Sequence, residues 1–290
     1  MKRSAYRRFM DGLRSALMYI AIAIVCALLV GVIGYIFVRG IPHISWEFLS
    51  TKPSPRSGTI GILPDLLNTL YIILMTIVIV LPLGVGAAIY LTEYAKNKKL
   101  VRVIEFATET LSGIPSIIFG LVGMLVFVEF FGLQSSLIAG ALTLVILTLP
   151  TVVRTTQESL KTVPQSYREG ALGLGSGKWH MIRTVVLPSS IDGIVTGCIL
   201  AVGRIVGESA ILMFTAGMGM RMAQFGGDSI GEFFSNFFGA AGSTLTVALY
   251  NYAKERADFS SAFAVAVVLL VIALVINVAA KLAGKKLKKN

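Results

Sequence analysis

Charged residues are scarce in this sequence: only 14% of its 290 residues are Asp, Glu, Lys or Arg, whereas soluble domains contain about 25%. Hydrophobic residues make up 55% of the chain, and the mean hydropathy is +0.80. This composition excludes an ordinary soluble enzyme and a disordered protein. Cysteine is nearly absent as well. The two cysteines, Cys26 and Cys198, both lie inside apolar runs, which excludes a disulfide framework and a Cys/His metal site.

Long uncharged apolar runs occupy much of the chain instead. A helix needs about 20 mainly apolar residues to cross the hydrocarbon core of a bilayer. By this criterion the sequence predicts an all-α membrane protein with six transmembrane helices, the fourth of which starts with a turn at 131–134. The first run is longer than the roughly 7–15 apolar residues of a cleavable signal peptide, so we expect it to be retained. The predicted spans are 15–38, 66–92, 110–128, 130–153, 190–214 and 259–280.

Positive charges are distributed unevenly around these spans. Cytoplasmic loops retain Lys and Arg, and most of the 26 Lys and Arg residues share one side if the N-terminus is inside. Both termini are therefore predicted to be cytoplasmic. Segments 40–64 and 217–258 are then external, and the second is expected to pack a short helix. This topology, with anionic lipid contact, accounts for the net charge of +11 without a nucleic-acid partner. The Lys and Arg residues that lie outside the predicted spans include Lys2, Arg3, Arg56, Arg221, Lys288 and Lys289.

The loop between the fourth and fifth predicted spans has a helical pattern. Ser166 and Glu169 fit the S-x-x-E capping box, which predicts that a short helix begins at Ser166. Gly173 and Gly175 can adopt the left-handed backbone that ends it. Ser176 can cap a second short helix before the membrane is entered. The loop is thus predicted to contain two short helices at the cytoplasmic surface.

The same loop resembles the EAA signature of binding-protein-dependent ABC importer permeases. That signature reads E-A-A, three residues, G, nine residues and I-x-L-P, and the spacing here is the same, with Gly170 in place of the second-position Ala. The resemblance implies a type I ABC importer permease bundle whose cytoplasmic loop docks into a separate ATPase subunit. The matching residues, which the resemblance implies as ATPase-coupling residues, are Glu169, Gly170, Ala171, Gly175, Leu187 and Pro188.

A nucleotide site in this chain is not predicted. The run from Gly175 to Lys178 superficially resembles a phosphate-binding loop, but G-x-x-x-x-G-K-[ST] would require Gly at Leu172 and Ser or Thr at Trp179. The chain is therefore expected not to be an enzyme and to bind no cofactor. The resemblance implies that ATP and Mg²⁺ are bound by the partner ATPase.

The fifth predicted span contains two charged residues, Arg204 and Glu208. At a spacing of i and i+4, they would share one face of a continuous helix and could pair. A charge at the centre of a span costs about 2.5–3.5 kcal/mol and usually marks a substrate route. A purely structural ion pair is the alternative.

This charged segment resembles the phosphate importer permeases of the PstA type. Residues 203–210 with 214–216 resemble their A-R-A-x-G-E-T-A…F-T-A segment, 113–120 resembles G-[IV]-P-S-x-x-F-G, and 249–253 favours the PstA over the PstC type. The resemblance implies a PstC-type second permease subunit, a PstB-type ATPase dimer and an external PstS-type phosphate-binding protein. An Arg fork suits phosphate oxygens, so we expect Arg204 to attract phosphate and Glu208 to hold Arg204 when no substrate is present.

The resulting domain organisation has three parts: 1–65 with the first span, 66–284 as the permease domain with its coupling loop at 154–188, and a basic tail at 285–290.

Other interpretations of the function remain. The cargo could be sulfate, molybdate or an organic anion. Met218, Met220 and Met222 could hold Cu(I). An intramembrane enzyme is disfavoured because His43 and His180 lie in loops, and a free channel would need no docking loop.

Overall fold

A computed structural model describes residues 5–53, 60–219 and 239–287, and within these ranges every regular element is helical. Wider π-helical turns prolong or join α-helices at four places within these ranges: Tyr90–Tyr94, Met124–Phe130, Ile182–Val186 and Asn251–Glu255. The α-helices, in chain order, are α1 Ala5–Gly40, α2 Trp46–Ser50, α3 Leu63–Ile89, α4 Lys98–Ser112, α5 Ser116–Gly123, α6 Leu137–Thr162, α7 Gln165–Gly173, α8 Lys178–Met181, α9 Leu187–Gly207, α10 Ala210–Thr215, α11 Leu245–Tyr250 and α12 Phe259–Leu287.

The predicted all-α membrane fold is confirmed, and the described part of the chain has five spans, with a sixth when a bent pair of helices is counted as one span. In the described residues, five helical stretches are long and apolar enough to cross a membrane, and a bent pair, Lys98–Ser112 with Ser116–Phe130, supplies the sixth. The predicted start of the third span at 110 is wrong, because the chain bends by 100° between the two members of this pair. Pro115 explains the position of the bend, since proline disfavours helical geometry at the residue before it.

The core of the bundle forms around α6, which packs against α3 on one side and α9 on the other. Leu144 and Leu147 of α6 are fully or almost fully buried, as is Ile72 of α3. A side chain at Gly84 of α3 would press on Val152 of α6, so the two backbones lie close together there. Small residues allow such close approaches between spanning helices. By contrast, α1 is exposed over almost its whole length and contacts α12.

The fifth span is broken, so the prediction of one continuous helix over 190–214 is wrong. Helix α9 ends at Gly207, and Glu208 has extended backbone angles, φ −86° and ψ 117°. The chain resumes helical geometry only at Ala210. Gly203 and Gly207 weaken the last turn of α9, because glycine loses more conformational entropy in a helix than other residues.

The loop region around α7 also differs from the prediction. Helix α6 continues to Thr162, so the first part of the predicted loop 154–188 is helical. Helix α7 follows Pro164 and already includes Ser166, which accepts no capping bond. The predicted capping box is therefore wrong, because Pro164, with its fixed φ, sets the start of the helix. Gly175 has a φ of +84°, which confirms the predicted left-handed stop there, whereas Gly173 has no positive φ and is the last residue of α7.

The second predicted surface helix is part of a longer helix. Helix α8 follows Gly177, without a capping bond from Ser176, and continues through Ile182–Val186 into α9. It is thus the first turn of a spanning helix. We call the end of the bundle that carries α7 the α7 end, and the other the opposite end.

A short helix in the segment 217–258 is confirmed. Helix α11 and its π-helical continuation, Asn251–Glu255, pack against α12, and α11 also contacts α3. Several residues used in the sequence-based predictions lie outside the described ranges: Lys2, Arg3, Arg56, Met220, Arg221, Met222, Lys288 and Lys289.

Candidate substrate pathway and coupling surface

Arg204 lies on α9 close to an exposed face of that helix. It is partly buried and stands about 26 Å along the helix from Leu187, at 1.5 Å per residue. Side chains added at Gly203 or Gly207 would meet no other atom within 4 Å. Arg204 therefore lies on α9 between two positions, Gly203 and Gly207, that border open space. The exposed residues recur at helical spacing along one face of α9: Asp192, Thr196, Leu200, Gly203 and Gly207.

The predicted ion pair between Arg204 and Glu208 is not formed. Among the described residues, the salt bridges found do not include either side chain. Glu208 lies beyond the end of α9 and is directed to the next helix instead, where its Oε1 accepts a hydrogen bond from the amide of Ile211 at 3.4 Å. The backbone oxygen of Glu208 accepts a second bond, of 3.0 Å, from the hydroxyl of Thr246. Glu208 thus stabilises the break in the span.

A buried polar cluster lies near this break, and the sequence analysis missed it. In the first turns of α3, the amide of Asn68 donates to the backbone oxygen of Ser243 at 3.0 Å, and the hydroxyl of Ser243 donates to Asp65. The hydroxyl of Thr69 accepts from the amide of Leu245 at 2.9 Å. These bonds attach the segment before α11 to the opposite end of α3. Polar residues at helical spacing in an apolar segment were the available signal.

The α7 end presents exposed apolar side chains. Leu174 is 91% and Trp179 58% exposed, and Tyr167 and Leu172 are also exposed. Exposed apolar groups of this size, set close together, are typical of an interaction surface. Glu169 of α7 is exposed as well.

The remaining residues of the EAA-like pattern divide between the surface and the bundle. Ala171 and Leu187 are partly buried and pack against a shared apolar cluster that includes Met181. Gly170 and Gly175 are exposed, with open space where a side chain would be. Leu187 and Pro188 begin α9, where Pro188 is exposed, whereas the other four residues of the pattern lie in α7 or in the turn that follows it.

The six-span helical bundle, with a partly buried arginine inside one span and an exposed loop at one end, has the architecture of an ABC importer permease. Two solved structures share this fold. The permease of the MetNI methionine ABC transporter aligns with a TM-score of 0.57 and 20% identity, over 78% of this chain and 94% of that one. A bacterial alginate ABC transporter aligns with a TM-score of 0.66 and 14% identity, over 100% and 99%.

The family follows from sequence comparison. Residues 80–289 match the family of binding-protein-dependent transport system inner membrane components, and the chain belongs to this family. A probable ABC transporter permease, YqgI of Bacillus subtilis, is 41% identical over 212 residues, which are 73% of this chain and 72% of that protein. The resemblance to PstA-type permeases is also confirmed.

Two of the PstA relatives illustrate the extent of the match. The phosphate transport system permease protein PstA of Haemophilus influenzae is 35% identical over 215 residues, 74% of this chain and 76% of that protein. The PstA of Xylella fastidiosa is 39% identical over 178 residues, 61% of this chain and 62% of its own length.

Proposed function

We propose that this chain is a permease subunit of an ATP-driven importer that moves inorganic phosphate into the cytoplasm by alternating access. The similarity to PstA permeases carries this proposal. The position of Arg204 supports it, because a cation inside a span and beside open space is suited to an anionic cargo.

The chemistry of the arginine fits phosphate. A guanidinium offers planar, paired donors that match phosphate oxygens, and it stays charged at every physiological pH. The glycines flanking Arg204 leave room for an anion beside the helix. Transport also requires that the site hold the anion weakly enough to release it.

The partners of the proposed importer follow from the family. A PstC-type permease subunit would complete the pathway and an external PstS-type protein would deliver phosphate. A PstB-type ATPase dimer would bind ATP and Mg²⁺ and dock at the α7 end, where Glu169, Leu174 and Trp179 are exposed. In this arrangement the α7 end and both termini face the cytoplasm, and the complex lies in the inner membrane.

The proposal is tested by ATP-dependent uptake of labelled phosphate into vesicles containing the reconstituted complex. We expect uptake that excess sulfate does not reduce. Arg204→Gln should lower the uptake rate by about tenfold or more and Arg204→Lys should lower it less, because a point charge replaces a paired donor. Arg14→Gln, which changes an exposed arginine of α1, should leave uptake unchanged. Uptake blocked by sulfate would indicate another anion, and full uptake by Arg204→Gln would refute the role of Arg204.

A further inference from the structure

A partly buried ion pair joins α7 to the end of α3. Both Nε and Nη2 of Arg168 donate to Oε1 of Glu93, each at 3.0 Å. The two side chains are only 12% and 7% exposed, whereas those of the Arg154 and Glu109 pair on the same half of the bundle are both 61% exposed. The Arg168–Glu93 pair is therefore shielded from water, and its geometry is better fixed than that of an exposed pair.

The same guanidinium also holds the end of α6. Nη1 of Arg168 donates to the backbone oxygen of Val163 at 2.6 Å, and Nη2 donates to that of Leu160 at 2.8 Å. These carbonyls belong to the last turn of α6 and the residue after it, where helix carbonyls lack partners within the helix. One side chain of α7 thus binds the ends of two spanning helices. A lysine could not make all of these contacts, because it lacks the forked donors.

Lys178, the first residue of α8, follows the turn after α7 and binds the same end of α3. Its Nζ donates to the backbone oxygen of Glu93 and lies 4.9 Å from the ring centroid of Tyr94. Residues Tyr90–Tyr94 form a π-helical turn at this point. Such turns interrupt a regular helix and are frequent at functional sites.

Helix α7 has few other attachments to the bundle. None of its residues is buried, and Ala171 is its partly buried apolar contact with the core cluster. The position of α7 relative to α3 and α6 therefore depends on polar contacts, chiefly those of Arg168. Helices α3 and α6 lead from this end into the core cluster that also contains Val202 and Ile205 of α9, the neighbours of Arg204 along that helix.

We propose that Arg168 and Glu93 act as a positioning pair that couples α7 to both α3 and α6. A displacement imposed on α7 by a docked ATPase would then move the ends of two spanning helices together. This inference rests on the proposed function for its coupling partner. Neither residue touches the cargo, so both are positioning residues. Breaking the pair should let α7 move without moving α3, and the loss of the guanidinium bonds to Leu160 and Val163 should loosen its hold on the end of α6.

The first test compares phosphate uptake with ATP hydrolysis in the reconstituted complex. We expect Arg168→Lys and Glu93→Gln to lower the phosphate transported per ATP by about threefold or more, which is within the range of coupling changes caused by single substitutions. A defect in assembly alone would lower both rates in proportion and leave this ratio unchanged. The control is Arg154→Gln, which removes an exposed arginine and should leave the ratio unchanged.

A double variant tests whether the lowered ratio of the single variants could come from misfolding. Arg168→Met combined with Glu93→Leu removes both charges, and apolar replacement of a buried pair is often neutral for stability. We expect this variant to assemble and still to show the lowered ratio. A wild-type ratio in the double variant and in both single variants would overturn the proposal.

A second measurement is independent of cargo. Amide hydrogen exchange of residues 165–173 should be about tenfold faster in Arg168→Lys than in the unaltered complex, because local opening of α7 becomes easier. Unchanged exchange would refute the positioning role, whatever the complex transports. Faster exchange in a complex without phosphate uptake would retain the positioning pair and reject the proposed cargo.

Discussion

Gly197 of α9 packs directly against Thr155 of α6, so that a Cβ atom at Gly197 would collide with the hydroxyl of Thr155. One turn earlier, Gly193 meets Ser159 in the same way, and Ser159 donates a 2.8 Å hydrogen bond to the backbone oxygen of Ser190. Glycines at a spacing of i and i+4 let two spanning helices approach closely, as in other small-xxx-small contacts. This contact fixes the position of α9, the helix that carries Arg204, against α6.

Because of this close contact, we expect a larger side chain at Gly197 to destabilise the protein. Gly197→Val should destabilise the protein by about 1–3 kcal/mol, because overpacking shifts the facing backbone or side chains. The measurement is the thermal unfolding of the detergent-purified protein. Gly203→Val is the matched control on the same helix, since no atom lies within 4 Å of its added Cβ. Equal losses in the two variants would contradict the packing argument.

Replacing Gly170 by alanine, unlike enlarging the side chain at Gly197, is predicted to stabilise the structure. Gly170 lies inside α7, and a side chain there would meet no atom within 4 Å. Gly170→Ala should stabilise α7 by about 0.5–1 kcal/mol, because alanine loses less entropy in a helix. Slower amide exchange across 165–173 would show this gain, and the substitution restores the alanine that the EAA pattern usually has at this position.

Gly175 is the control for that experiment. Its φ of +84° lies in the left-handed region, where an alanine is strained by about 1–2 kcal/mol. Gly175→Ala should therefore speed exchange at the end of α7 and weaken the turn into α8. If both alanine variants slowed exchange, the assignment of the turn at Gly175 would be wrong.

The sequence predicted those features that depend on neighbouring residues, such as the six apolar spans and the left-handed turn at Gly175. It failed where a distant residue or a competing local signal decides the structure. The break at Glu208 depends partly on Thr246, which lies far along the chain and binds its carbonyl. Similarly, Arg168 and Glu93 are 75 residues apart, so no local pattern reveals their ion pair. At α7, Pro164 prevailed over the capping signal of Ser166.

The break in the fifth span can be tested at Glu208. If its main role is to accept a bond from the amide of Ile211, Glu208→Gln should retain the structure, because an amide oxygen also accepts. Glu208→Ala removes the acceptor and should cost about 0.5–1.5 kcal/mol, the net worth of an ordinary hydrogen bond. Thermal unfolding measures the stability of the two variants, and the glutamine variant should melt at the higher temperature. Equal destabilisation by Gln and Ala would instead show that the negative charge itself is required.

Asp258 caps the last span at its N-terminus. Its Oδ1 accepts from the amide of Ser261 at 3.1 Å, and Oδ2 accepts from the hydroxyl of the same serine at 2.6 Å. Partial burial by itself would raise the pKa of Asp258. The hydrogen bonds from Ser261 and from the amide of Ser260, with the charge of His43, outweigh it and lower the pKa of Asp258 below its usual value.

The lowered pKa of Asp258 sets the sign of a pH effect. Its capping contribution is fully present above the unfolded pKa of about 3.9 and is lost as the pH falls through the lower, folded value. Asp258→Ala should cost about 1 kcal/mol near neutral pH, the usual worth of an N-cap. The difference in melting temperature between the wild type and this variant should then narrow as the pH falls below about 4. Asp258→Asn keeps an acceptor that does not titrate, so its difference from the alanine variant should stay constant over the same range; a parallel narrowing there would assign the acid sensitivity to other groups.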